Sequence, residues 1–262
     1  MLRRFFQLIR ALVLAAPFLL VSSARSQDLF EIQVYPYEIV KPGETMVELH
    51  MNFTPSGTKT APPGQFPNHR QFHFTVEVTK GLTQHFELAG YLVTAYVPDI
   101  GPKFVGARIR PRLRAPENWR LPFRFSLSTE LSFTKHQFEA NTIALEIRPI
   151  IEKEAGKWYF SVNPSLSQSL RGPDSHDGPS FEPAVKIAYN MTKLLAPGIE
   201  YYAETGPVNH FLSAGEQHHL IFPTLDLNVS PNWELNFSVG RGLTGASEHW
   251  IVKWIIGRRF KF

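Results

Sequence analysis

The sequence predicts an all-β, single-domain, antiparallel transmembrane β-barrel of about twelve strands. Three observations carry that prediction. First, apolar residues alternate with polar ones at a period of two over most of residues 44–262, the side-chain period of a strand. Second, several of these segments set an aliphatic or aromatic face against a charged one. The segment 103–114 places Val105, Ala107, Ile109 and Leu113 opposite Arg108, Arg110, Arg112 and Arg114, and four like charges in a row need water or counter-charges. Third, connections rich in Pro, Gly and Ser alternate between short (80–83, 115–118, 153–156, 194–198, 230–232) and generally longer. Short periplasmic turns, longer external loops and an even strand number belong together in such barrels.

In chain order, residues 1–26 read as a cleaved secretory signal peptide. Met1-Leu2-Arg3-Arg4 is basic, 5–21 are apolar apart from Gln7 and Arg10, and small residues follow up to Ser26. The unbroken apolar stretch 11–21 is short of the ~20 residues of a spanning helix. Residues 1–26 carry four arginines and no acid; 27 basic residues less these four leaves 23, against 23 acidic ones. The isoelectric point of about 9.3 therefore belongs mostly to the signal, and nucleic-acid binding loses its support. Cysteine is absent, which excludes thiol redox chemistry and cysteine-ligated metals.

Residues 27–43 are an extended lead-in on the periplasmic side, with scope to reach into the lumen. The barrel itself is expected over 44–262, with strands at 44–54, 71–79, 86–97, 103–114, 119–133, 139–152, 157–169, 181–193, 199–207, 217–229, 233–241 and 249–260. The fifth has the clearest alternation, with Trp119, Leu121, Phe123, Phe125, Leu127, Leu131 and Phe133 on one face. Pro111, Pro122, Pro149, Pro164, Pro183 and Pro223 fall inside these strands. A proline removes a ladder donor, so bulges near the rims are expected to absorb them, Pro164 fitting least well. Trp119, Trp158 and Trp233 stand beside short turns and Trp254 near the closing end, as in an interfacial aromatic girdle.

The closing segment Trp250–Phe262 puts Trp250, Val252, Trp254, Ile256, Arg258, Phe260 and Phe262 on one face. It resembles the last strand of Gram-negative outer-membrane barrels, in which a terminal aromatic is a recurring assembly signal. That resemblance implies that Phe260 or Phe262 is the signal read by the barrel-assembly machinery. The Gly-Leu-Thr turn within Val78–Leu88, the run Asn236–Thr244 and the closing Val252–Phe260 resemble a group of mostly uncharacterised outer-membrane barrels. Many of these are labelled transporter-like, near the group named for a phenol-degradation pathway. The resemblance implies residence among outer-membrane lipids and transport of small molecules.

The lumen face carries the functional expectation. Arg108, Arg110, Arg112, Arg120, Arg124, Glu130, Glu146 and Arg148 are its candidates for solute selectivity, because charged rings set pore selectivity. A passive channel or transporter for small solutes, anionic or aromatic, is one reading. A structural or interaction barrel with a closed, salt-bridged lumen is the alternative. No cofactor or metal is expected: His218 and His219 are adjacent, and most other histidines fall at strand ends or in loops. A lipid-modifying enzyme would need a base within reach of its nucleophile. Ser175-His176-Asp177-Gly178-Pro179-Ser180 and His210-Phe211-Leu212-Ser213 lack the spacing, so no catalytic residue is assigned.

Overall fold

The computed structural model describes residues 29–261; the expected signal peptide and Phe262 lie outside the described residues. The strands are β1 (Glu44–Ser56), β2 (Phe72–Gly81), β3 (Phe86–Val97), β4 (Gly101–Arg114), β5 (Arg124–Thr134) and β6 (Ile143–Ala155). They continue with β7 (Trp158–Arg171), β8 (Ser180–Tyr189), β9 (Leu195–Glu204), β10 (His218–Leu227), β11 (Trp233–Gly242) and β12 (Trp250–Lys261). Each pairs antiparallel with its sequence neighbours, and β1 with β12, into one closed twelve-stranded barrel. Closure leaves no strand edge unpaired. The seam runs from Glu44↔Lys261 to Phe53↔Val252 in unbroken register.

The period-two pattern sorts side chains to the two faces of the wall. Leu92, Leu113, Ile199, Ile109, Phe133 and Phe237 point outward, and Leu113 is 55% exposed and Ile199 52%. Burying one such side chain is worth about 1.5–3 kcal/mol, so a belt of them in water is untenable and in hydrocarbon is satisfied. Phe53, Phe72, Phe74, Trp254 and Phe237 form a continuous aromatic strip across the seam, with centroids 4.8–6.1 Å apart. Trp254 thus sits mid-wall, opposite Met51 and Phe237, not near the closing end. Trp158 and Trp233 begin β7 and β11 at the end of the barrel where most turns are short. There Arg258 lies 5.1 Å over the Trp233 ring.

Three local expectations are corrected. β5 begins at Arg124, because residues 117–119 make a single 3-10 turn closed by Arg120 at φ 50°; Trp119, Leu121 and Pro122 belong to the connection. Val105 faces inward, 1% exposed. An irregularity in the β3–β4 pairing at Val93/Thr94 shifts the alternation, and Gly106 permits it, since a Cβ there would lie 2.0 Å from the Phe133 carbonyl oxygen. Pro149, Pro164 and Pro223 lie in mid-strand, in gaps of the ladder. The β6–β7 pairing is interrupted between Ile147↔Leu166 and Ile151↔Val162 without a change of register, so Pro149 and Pro164 share one gap. Pro111 and Pro223 fall in similar gaps of β4–β5 and β10–β11.

Residues 29–40 run inside the barrel, and the exposed residues 41–43 turn the chain into β1. Val40 and Lys41 pass Gly81 at the short-turn end, and the segment rises until Leu29 reaches Asn52 and His73. It adds no strand. One side packs Leu29, Ile32 and Val34 against Ala184, Tyr202, Leu220, Phe222 and Ile251. Phe30 packs with Phe138 on a second apolar patch of Ala89, Tyr91, Val93, Ala95 and Val105.

Candidate functional site

The candidate site is a column of charge on the inner faces of β2 to β7, with the segment pressed against it. The period of two aims Arg108, Arg110 and Arg112 of β4 at the lumen, and all three are buried. Register sets Glu87 of β3 beside Arg112 and Tyr91 beside Arg108. Arg112 reaches Glu87 at 2.7 Å and donates to the carbonyls of Pro36 (3.1 Å) and Glu38 (2.8 Å). Arg110 is held by Glu77, by Glu87 at 3.3 Å and by the Tyr91 hydroxyl. Arg108 bridges Glu130 of β5 and Glu31 of the segment, each at 3.2 Å. Arg148 pairs with Glu146 at 2.7 Å.

Six of the eight residues expected at the lumen therefore meet there: Arg108, Arg110, Arg112, Glu130, Glu146 and Arg148. Arg120 does not, being exposed in the turn before β5. Arg124 sits at the rim, its side chain 35% exposed, and pairs with Glu152 at 2.7 Å and with Glu154. A second charged group, absent from the candidate set, lies across the barrel. Lys186 reaches Glu200 (3.1 Å) and Asp226 (2.8 Å), and Lys253 binds Glu200 and the Tyr202 hydroxyl. Of the two assembly-signal candidates, Phe260 lies on β12 beside Arg258.

The side chain at the centre of the column is Tyr35 of the segment. Its ring lies 4.2 Å from the Arg148 guanidinium, 4.7 Å from that of Arg110 and 5.7 Å from that of Arg112. Its hydroxyl donates to Glu31 and lies 3.1 Å from that of Tyr91. A segment outside the ladder still has backbone groups to satisfy, and wall side chains satisfy them. Asn163 accepts from Tyr35 N–H at 2.7 Å, Glu152 from Tyr37 N–H at 2.7 Å and Glu87 from Val40 N–H at 2.6 Å. Ser161 and Asn163 donate to the Tyr35 carbonyl, and Thr75 to that of Phe30. Glu31 stands off the spanning strands. Burial pushes its carboxyl above the ordinary range, Glu130 pushes the same way, and Arg108 pulls it down.

Glu31, His50 and Glu77 bring one ligand atom each to within 4.8 Å of one another. Their carboxylates already serve Arg108 and Arg110, so the group is part of the ion-pair column. His50 and His73 are lumen residues, each 1% exposed, which the spacing of histidines did not reveal. In the loops, Ser213 Oγ donates to Glu216 at 2.7 Å. Tyr35, Tyr91 and Asn163 were also missed. The one signal for Tyr35 was the alternation in Glu31-Ile32-Gln33-Val34-Tyr35-Pro36-Tyr37.

Fold and site together define a closed transmembrane β-barrel whose lumen is charged and occupied by its own chain. No protein-family model and no curated protein matches the sequence. Solved structures do match in fold. The COG4313 outer membrane channel from Pseudomonas putida F1 aligns over 88% of this chain and 100% of its own, at 12% identity and a TM-score of 0.57. The NanC porin aligns over 83% and 100%, at 9% identity and a TM-score of 0.54. The transport unit of the autotransporter AIDA-I from Escherichia coli aligns over 90% and 95%, at 10% identity and a TM-score of 0.50. At these identities the likeness is one of fold.

Proposed function

We propose that this chain is a bacterial outer-membrane channel for small solutes, anionic ones above all, with residues 29–40 as a plug that must shift for solute to pass. The single observation that carries the reading is how the plug is held. It joins no ladder and is fastened by side chains, so it can leave without breaking the barrel. Its departure takes Glu31 from Arg108 and two carbonyls from Arg112. The vacated column then balances four arginines against Glu77, Glu87, Glu130 and Glu146, and the Arg108 and Arg112 donors that held the plug are the groups that would meet an anion. Outer-membrane barrels among the fold neighbours, one described as a channel and one as a porin, support the location and the class.

The packed lumen gives a specific reason to keep the alternative, a closed barrel that transports nothing. Conductance of refolded protein in planar bilayers, with a variant whose residues 29–40 are replaced by Gly-Ser, separates the two. The channel reading expects the replacement to raise conductance several-fold and to favour anions. If wild type and replacement are both impermeable while folded, the channel reading falls and the closed barrel stands.

A further inference from the structure

We propose that the cage around Tyr35 is a binding site for aryl carboxylates, and that Tyr35 with Glu31 is an internal occupant of it. The inference rests on the lumen being a solute path. Three features of the cage name the ligand. Arg148, Arg110 and Arg112 surround one aromatic ring, with guanidinium carbons 4.2–5.7 Å from its centre; a cation within about 6 Å of a ring centroid is attracted by the ring's quadrupole. The outer end of that ring meets a carboxylate, because the Tyr35 hydroxyl is bonded to Glu31. That carboxylate faces Arg108, itself 8% exposed, at 3.2 Å.

The occupant is thus a planar ring with a carboxylate at its tip, assembled from two residues. A single small molecule reproduces it when the carboxylate is attached directly to the ring, as in benzoate. Its ring takes the place of the Tyr35 ring and its carboxylate that of the Tyr35 hydroxyl and Glu31 together. Charge alone does not define this ligand, since a saturated ring lacks the quadrupole. Aromaticity alone does not either, since an uncharged phenol brings Arg108 no carboxylate in place of that of Glu31. Competition follows from geometry, because ligand and Tyr35 cannot share the cage. The apparent affinity is lowered by the fraction of chains whose cage is vacant.

The test titrates refolded protein in detergent with 4-fluorobenzoate, followed by fluorine NMR. 4-Fluorophenol and 4-fluorocyclohexanecarboxylate are the comparison probes. We expect 4-fluorobenzoate to bind wild type weakly and Tyr35→Ala, made together with Glu31→Ala, at least tenfold more tightly, since the two substitutions vacate both the ring and the carboxylate positions. Tyr35→Leu with Glu31→Ala, which refills the ring position, returns the affinity towards wild type. Arg148→Lys keeps the charge but loses the planar guanidinium, and weakens binding to the doubly substituted alanine chain several-fold. Gel mobility of unboiled samples verifies that each variant is folded. The proposal is overturned if the doubly substituted alanine chain binds no more tightly than wild type, or if the saturated acid binds as well as the aromatic one. Aryl carboxylate binding in a barrel that passes no ions would uphold the site and remove the channel reading. Anion conductance without that binding pattern would do the reverse.

Discussion

Glu87 offers the sharpest test of how the interior is held together. Its carboxylate is fully buried and serves three donors: Arg112 at 2.7 Å, Arg110 at 3.3 Å and the Val40 N–H at 2.6 Å. Glu87→Leu keeps roughly the volume and removes every acceptor. Stripping one partner from a buried ion pair costs about 3–5 kcal/mol. Arg110 keeps Glu77, and Arg112 keeps the carbonyls of Pro36 and Glu38, which puts the loss at the low end, about 3 kcal/mol. The orphaned Val40 N–H adds about 1 kcal/mol, borne by docking of the plug alone. Urea unfolding in lipid vesicles, read as the fraction of gel-shifted folded protein, measures the first part. Amide exchange at residues 38–41 measures the second. Glu87→Gln, which keeps one acceptor oxygen, should lose about half as much. A Glu87→Leu chain that unfolds at the wild-type urea concentration would refute the reasoning, and would mean that water in the lumen screens these charges.

Two further outcomes follow. Gly106→Val, whose Cβ would lie 2.0 Å from the Phe133 carbonyl oxygen, should destabilise the β4–β5 pairing by about 3 kcal/mol or more, seen as loss of the folded gel band. The Glu31 carboxyl is held above its ordinary range by burial when docked. Docking is therefore fullest below the free-state value of about 4.3 and weakens as pH rises through the docked value; open probability in bilayers should rise with pH, and Glu31→Gln should flatten the dependence.

Period two is local, and so the wall was legible: each inward arginine of β4 was placed by counting alone. The errors arose where something non-local intervened. Trp119 and Leu121 continue the apolar rhythm of β5, yet the chain there is turning, and no alternation distinguishes a strand from a turn with the same spacing; Arg120 went astray with them. Val105 was sent outward because one irregularity beside Gly106 inverts every face before it. Face assignment says which residues meet the lumen and nothing about what fills it. Tyr35 is bound to Asn163, 128 positions away, a contact no pattern in 27–43 encodes. The prolines became readable only in register, when Pro149 and Pro164 proved to lie in the same gap.

The attachment of the plug also bears on the order of folding. Residues 29–40 precede every strand in the chain; Leu29 and Phe30 meet β1 and β2, yet Tyr35, Tyr37 and Val40 are fastened by β7, β6 and β3. The seam joins Glu44 to Lys261, at the start of the first strand and the end of the last. Contacts so distant are the slowest to form, because the loop between them must close first. The stretch around Tyr35 thus waits until more than half of the wall exists. Its docking then acts as a clock that strikes late: a protected Tyr35 amide marks a chain that has already built β7, so exchange at that one position could time the assembly of the whole barrel.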